Sequence, residues 1–315
     1  MAVGLITSQR FKDHRTGLGH PETQERLIAI LNKISKSSIK TSTKTFTPRF
    51  PKPGIPEIIH TKEYVDRVKH ACSIGASIID TVDNPISPDS FDVAVLAAGA
   101  VVEGVDLLFK NGLNSVMALI RPPGHHAEKN MAMGFCLFNN AAIAARYAQN
   151  KHEAEKIVII DFDVHHGNGT QHIFEQDPTV MYISTHQYPF YPGTGSENDI
   201  GIGAGINTTR NYPLKAGVGD KEFIDIFDNS VADIVLSYNP DLIIISAGFD
   251  AHILDPIGEL NVSTEGYYTI SQTIFNLAQE SCNGKILSVL EGGYNLTALA
   301  DGVEVHLAAL AGKSL

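Results

Sequence analysis

Residues 157–169 read Ile-Val-Ile-Ile-Asp-Phe-Asp-Val-His-His-Gly-Asn-Gly. The run Ile157–Ile160 is apolar and β-branched throughout, the pattern of a strand buried on both faces. Its carboxyl end passes directly into acids, histidines and glycines. In an open α/β sheet, ligands bind beyond the carboxyl ends of the strands. Side chains alternate along a strand, so Asp163 and His165 point the same way. A carboxylate and an imidazole so placed can hold one metal ion together.

The same punctuation recurs along the chain. Further strands are predicted at Val3–Thr7, Ser115–Ile120, Val180–Thr185, Leu242–Ala247 and Ile286–Leu290, with the central one at Ile157–Phe162. Amphipathic segments predict helices at Glu22–Lys36, Lys62–Ala76, Phe91–Lys110, Asn139–Gln149, Lys221–Ser237, Thr264–Ser281 and Leu296–Ala311. Strand–helix alternation implies an α/β fold, with a mostly parallel sheet covered by helices on both faces. With 315 residues and neither an internal repeat nor a low-complexity linker, a single domain over 1–315 is expected. Two stretches lack periodicity, 186–209 and 80–90. Long loops inside compact domains are usually functional.

Composition narrows the partners. The formal net charge of −11 disfavours nonspecific binding to nucleic acid or an acidic membrane. The three cysteines, Cys72, Cys136 and Cys282, are odd in number and lack zinc-finger spacing, which suggests a reducing compartment. Met1–Thr7 reads as a first strand rather than a signal peptide, and no apolar run reaches the ~20 residues that span a bilayer. A cytoplasmic location is the expectation.

Four strand candidates end in reactive residues: Arg121–His126, Asp161–Asn168, Ser246–His252 and Glu291–Tyr294. Asp163, His165 and Asp250 together offer two carboxylates and one imidazole, leaving positions open for water and substrate as catalytic zinc requires. Fe(II), Co(II) or Mn(II) would also suit so oxygen-rich a set. The tandem His125-His126 cannot readily be doubly cationic, so their pKa values should split into one base near neutrality and one electrostatic partner. Each needs an orienting acceptor, and Asp161 and Asn168 are available. Gly292 and Gly293 allow tight backbone turns before Tyr294, whose hydroxyl could donate to a developing oxyanion. His166 has no evident chemical role and is expected to be structural. Asp83 lies in one of the aperiodic loops and is a candidate rim residue.

These strings, RPPGHHA (121–127), GFCLFNN (134–140), DFDVHHGNGTQ (161–171), YPGTG (191–195), SAGFDAH (246–252) and EGGYN (291–295), resemble the histone deacetylase family of the arginase/deacetylase superfamily, in the family's order and over nearly the whole chain. Asn168 and the short N-terminus look closer to class II and bacterial deacetylase-like amidohydrolases. The resemblance implies a sheet of about eight strands. It implies Zn²⁺ (Fe²⁺ or Co²⁺ also possible) on Asp163, His165 and Asp250, and His126 as general base and then acid. His125 would be mainly electrostatic, with Asp161 bonded to His125 and Asn168 to His126, and Tyr294 would polarise the scissile carbonyl. Gly134, Phe135 and Tyr191 would line a narrow acyl channel. A structural K⁺ would be held by the Asp161 carboxylate, the backbone carbonyls of Asp163 and His165, Ser184 and Thr185. Arg26 would match an arginine at the base of the acetate pocket.

The implied reaction is hydrolysis of an acyl-amide to an amine and a carboxylate, on an acylated lysine of a protein or peptide. The nearest alternative is deacetylation of small acetylated polyamines. Polyamine-selective relatives carry an acidic gatekeeper after the third metal ligand, where this chain offers Ile257, which leans towards acyl-lysine. A binuclear, arginase-like ureohydrolase would need more bridging acids and would give Tyr294 no work. An inactive acyl-lysine reader would have lost Tyr294, His126 or a metal ligand, and none is lost.

Overall fold

The computed structural model describes residues 1–110 and 112–314. Ten strands are present among them: β1 (Val3–Ile6), β2 (Thr43–Phe46), β3 (Ile78–Ile79), β4 (Thr81–Pro85), β5 (Ser115–Ala118), β6 (Ile157–Asp161), β7 (Val180–Gln187), β8 (Thr209–Leu214), β9 (Leu242–Ala247) and β10 (Ile286–Leu290). Eight form one parallel sheet in the order β2-β1-β5-β10-β9-β6-β7-β8, and β3 and β4 make a small antiparallel ribbon. The α/β expectation, with about eight parallel strands and helices on both faces, is borne out. The helices are α1 (Glu25–Lys36), α2 (Lys62–Ser73), α3 (Ser90–Lys110), α4 (Asn140–His152), α5 (Asn168–Phe174), α6 (Asp220–Asp225), α7 (Ala232–Tyr238), α8 (Thr264–Ser281) and α9 (Leu296–Leu310). No described helix is long and apolar enough to cross a membrane.

The central strands are buried on both faces, as their unbroken apolar runs require. Each fully buried Ile or Leu there is worth roughly 1.5–3 kcal/mol. On one side α1, α9, α8 and α7 pack in succession, while α3 and α4 pack together against β5, β6 and β9. The strand order brings the carboxyl ends of β5, β10, β9 and β6 side by side, which are the ends of the four reactive strings.

Three sequence expectations are corrected. The edge strands β2 and β8 were not foreseen, because β2 is largely exposed and β8 carries Pro213; edge strands tolerate both features. The helix expected over Lys221–Ser237 is instead α6 and α7 joined by a π-helical turn at Ile226–Val231. The aperiodic 80–90 stretch contains β4.

One buried group makes the core acid-sensitive. His306 on α9 is fully buried between Ser271 Oγ (2.7 Å) and Ser288 Oγ (2.9 Å), and burial lowers its pKa to about 3. Between pH ~6.5 and ~3 the unfolded chain therefore binds a proton that the folded one refuses, so stability rises with pH across that window and is lost on acidification. The loss should be on the order of 2 kcal/mol between pH 7 and 5 from this residue alone. Urea titrations at the two pH values should show a smaller pH difference for His306→Gln than for the parent; an equal difference would assign the acid sensitivity elsewhere.

Candidate active site

Each reactive side chain sits where a β-strand hands over to a loop. Asp161 ends β6, and its carboxylate accepts from the Asp163 amide at 3.2 Å, from His125 Nδ1 at 3.1 Å and from the Tyr182 hydroxyl at 2.9 Å. His125 and His126 follow β5, with ring centroids 4.0 Å apart. His126 Nδ1 lies 2.8 Å from Asn168 Oδ1. The loop that carries the pair is pinned by Glu291, whose Oε2 accepts from Gly124 N at 2.6 Å and His125 N at 3.2 Å.

Asp163, His165 and Asp250 are all buried and bring their donor atoms within 4.8 Å of one another. His165 Nδ1 stands 3.0 Å from Asp163 Oδ1 and 3.3 Å from Asp250 Oδ2. Asp250 Oδ2 is a buried oxygen without a hydrogen-bond partner. The other oxygens are oriented by backbone amides, Asp250 Oδ1 by Val164 N (2.9 Å) and Asp163 Oδ2 by Gly292 N (2.8 Å). A β-carbon on Gly248 would run into the Asp163 carboxylate, and one on Gly292 into that of Asp250. Burial and the Asp163 charge push the Asp250 carboxyl up to about 7. Two carboxylates facing one imidazole in a buried site, with an orphaned oxygen among them, fit a divalent cation.

The histidine pair is electrostatically split. Burial works against charge on both. For His125 the carboxylates of Asp163 and Asp161 prevail and raise it to about 10. For His126 the opposing pull of Asp163 and Asn168 is the smaller effect, and burial together with His125 and His165 holds it well below the ordinary imidazole value.

A cavity of about 260 Å³ leads down to these groups. Phe135, Phe190 and Tyr191 form its aromatic lining, and Gly134, Ile257 and Tyr294 line it as well. Gly134 adopts φ +57° against the His126 ring, where a β-carbon could not fit. Phe135 itself has φ 68°, a left-handed conformation uncommon for an aromatic residue and of the kind that clusters at functional sites. Asp83, on β4, accepts from the Tyr191 hydroxyl at 2.9 Å and from Gly134 N at 3.1 Å. The Gly293–Tyr294 turn is clamped from two sides. Arg26 donates to the carbonyls of Gly293 (2.7 Å) and Glu291 (2.5 Å), and Asp255 accepts from Tyr294 N (2.7 Å) and Asn295 N (3.2 Å). Asn295 then caps α9.

The structure thus brings all four strings to one site: His126, His165 and Tyr294 line the cavity, and Asp250 joins them through His165. Arg26 stands behind the Tyr294 turn, its guanidinium 5.2 Å from that ring, and is not among the residues lining the cavity. Ser184 pairs in register with Asp161 across β6 and β7, and Thr185 Oγ1 is buried without a partner. His166 bonds Thr194 Oγ1 (2.7 Å) and Gln171 Oε1 (2.9 Å), pointing away from the chemistry. Sequence reasoning missed Phe190, stacked on His165 at 5.2 Å, and the supports Asp255 and Glu22, and it placed Glu291 in a reactive string without giving it a role. Phe190 adjoins the singled-out YPGTG string; Asp255 and Glu22 carry no local signal.

Residues 20–310 match the histone deacetylase domain model. Among curated sequences, "Histone deacetylase 14, chloroplastic" of Arabidopsis thaliana is 40% identical over 93% of this chain and 73% of its own length. "Polyamine deacetylase HDAC10" of Homo sapiens is 34% identical, over 92% of this chain and 44% of that protein. The crystal structure of the HDA15 HD domain superposes with a TM-score of 0.92 at 37% identity, covering 99% of this chain and 89% of that one. Motif, fold and site agree with these likenesses, and the chain belongs to the histone deacetylase family of amidohydrolases.

Proposed function

We propose that the chain hydrolyses the side-chain amide of an N-acyl-lysine in a protein or peptide, releasing acetate or another short acyl group, with Zn²⁺ on Asp163, His165 and Asp250. The observation that carries this reading is the convergence of that donor set, a base-competent His126 and the Tyr294 phenol at the foot of a narrow aromatic cavity. When bound, the cation supplies Lewis-acid activation of water and of the amide carbonyl; Fe²⁺ or Co²⁺ would suit the same donors.

The chain's own residues do the rest. Asn168 Oδ1 holds the Nδ1 side of His126, leaving Nε2 to take a proton from the attacking water and return it to the departing amine. His125, kept cationic by Asp163 and Asp161, adds positive potential beside the reacting atoms. Tyr294 donates to the developing oxyanion. Tyr294→Phe should lower kcat by about 10²–10³ with little change in KM, measured on a fluorogenic acetyl-lysine peptide; parental kcat would leave the phenol a packing role only.

Phe135, Phe190, Tyr191 and Ile257 suit the aliphatic stem of lysine, and Asp83 at the mouth offers an acceptor to substrate N–H groups. We infer also that Asp161, the carbonyls of Asp163 and His165, Ser184 and Thr185 hold a structural K⁺, supported by the Asp161–Ser184 register. Free, buried Cys72, Cys136 and Cys282 suit a reducing compartment such as the cytoplasm. A second reading, deacetylation of small acetylated polyamines, is favoured by the Asp83 carboxylate, the net charge of −11 and the named activity of the human relative. The test is a panel of acetyl-lysine peptides, longer acyl-lysines and N-acetylpolyamines, with and without a chelator. Peptide turnover abolished by chelation supports the proposal; higher kcat/KM on acetylputrescine or acetylspermidine would transfer the assignment to polyamines.

A further inference from the structure

Asn168 does not end the polar chain that starts at His126. Its amide nitrogen donates to Glu128 Oε1 at 2.6 Å, and the same oxygen lies 2.7 Å from His172 Nδ1. Asn168 is buried, the Glu128 side chain is 17% exposed and that of His172 43%, so the chain runs from the cavity floor to the surface. It ends in a separate recess of about 410 Å³ lined by Glu128 and His172 among others. Glu128 is firmly seated: its carbonyl faces His60 Nδ1 at 2.9 Å, and its amide donates to Met131 O at 2.9 Å.

The orientation of an Asn amide is a chemical choice between an acceptor and a donor. With Oδ1 towards His126, the facing Nδ1 must carry the proton, and Nε2 is left with a lone pair. With the amide reversed, Nδ2 would face Nδ1, the proton would move to Nε2, and His126 could not act as a base. His126 alone accommodates either arrangement. The far side of the amide does not: an ionised carboxylate only accepts, so Glu128 admits Nδ2 and repels Oδ1. The other acceptors near Nδ2, His126 O and Met133 Sδ, are both at 3.3 Å and weaker.

We propose that Glu128 is the positioning residue that decides which nitrogen of His126 carries the proton, acting through the Asn168 amide. None of its hydrogen bonds reaches the donor set or a residue lining the cavity, so Asn168 is its hydrogen-bonded route to the base. The proposal rests on the reading of His126 as that base, and its test separates the two.

The experiment uses the zinc-loaded chain with ¹⁵N-labelled histidine, the His126 resonances being identified by their loss in His126→Ala. The parent is expected to show His126 protonated at Nδ1. Glu128→Gln, isosteric but able to present either an acceptor or a donor, is expected to show a second population protonated at Nε2, and Glu128→Ala a mixture as well. Both variants should lose about 10- to 100-fold in kcat on an acetyl-lysine peptide at nearly unchanged KM. An Nδ1-protonated His126 in both variants, or parental kcat in Glu128→Gln, overturns the proposal. Should Glu128→Ala fail to fold, Glu128→Gln carries the test alone. A tautomer that shifts in a parent without turnover on any acyl-amine would sustain the positioning role while removing the deacylase reading.

Discussion

His126→Ala is expected to reduce kcat/KM on an acyl-amide by about 10²–10⁴-fold, the range associated with removing a positioned general acid–base. The neighbouring imidazole cannot take over. His125 has Nδ1 engaged by Asp161 and its pKa raised to about 10, so near neutrality it holds a proton and cannot accept another. His126, by contrast, is pushed well below the ordinary imidazole value by burial and by His125 and His165, and so is neutral where a base is needed. Because His126 is outside the donor set, the variant should retain parental metal content by elemental analysis. Activity within threefold of the parent would remove His126 from the chemistry. Loss of activity together with loss of metal would instead mark a collapse of the site.

Glu22→Ala is expected to destabilise the fold by about 3–5 kcal/mol. Glu22 is fully buried between two fully buried arginines. Its Oε2 accepts from Arg121 Nη2 at 2.6 Å, while Oε1 accepts from Arg121 Nε at 2.5 Å and Arg26 Nη1 at 3.1 Å. Burial alone would raise its pKa, yet the two guanidinium groups hold it at about 2. Truncation leaves both cations in the core with one remaining kind of partner, backbone carbonyls. The cost is a large share of the ~5–15 kcal/mol that separates most native proteins from their unfolded chains. A thermal midpoint lowered on the order of 10 °C should follow. Arg26 also holds the carbonyls of Gly293 and Glu291, so the residual folded protein should have reduced kcat as the Tyr294 turn loosens. An unchanged midpoint would show that the triad is electrostatically neutral to the fold.

These two residues also show what could be read without coordinates. His126 announces itself because it sits in a Pro-Pro-Gly-His-His string at a strand end, and strand ends in parallel sheets are where ligands bind. Glu22 does not, since its meaning comes from Arg121, 99 positions away, and nothing local distinguishes it from a helix-leading acid. The same holds for Asp255 under Tyr294; Glu291 does head a singled-out string, but its role, holding the amide of Gly124 167 positions back, is not a local property. β2 and β8 escaped notice because edge strands need bury only part of their surface and so show weak alternation.

By itself the sequence determined the alternation of strand and helix, and hence a parallel sheet. It determined also which side chains stand at the carboxyl ends of β5, β6, β9 and β10, because burial period and chemical residue type are local properties. Tertiary structure decided the rest. Strand order made four separated ends into one site; close backbone approach at Gly248 and Gly292 brought two carboxylates to one imidazole. Distant acids then act on the histidine pair: Asp163 and Asp161 make His125 a cation, while Glu128, through Asn168, faces the side of His126 that must keep its proton. Charge and proton position depend on distances of a few ångströms between residues far apart in the chain, and only the folded packing supplies those distances.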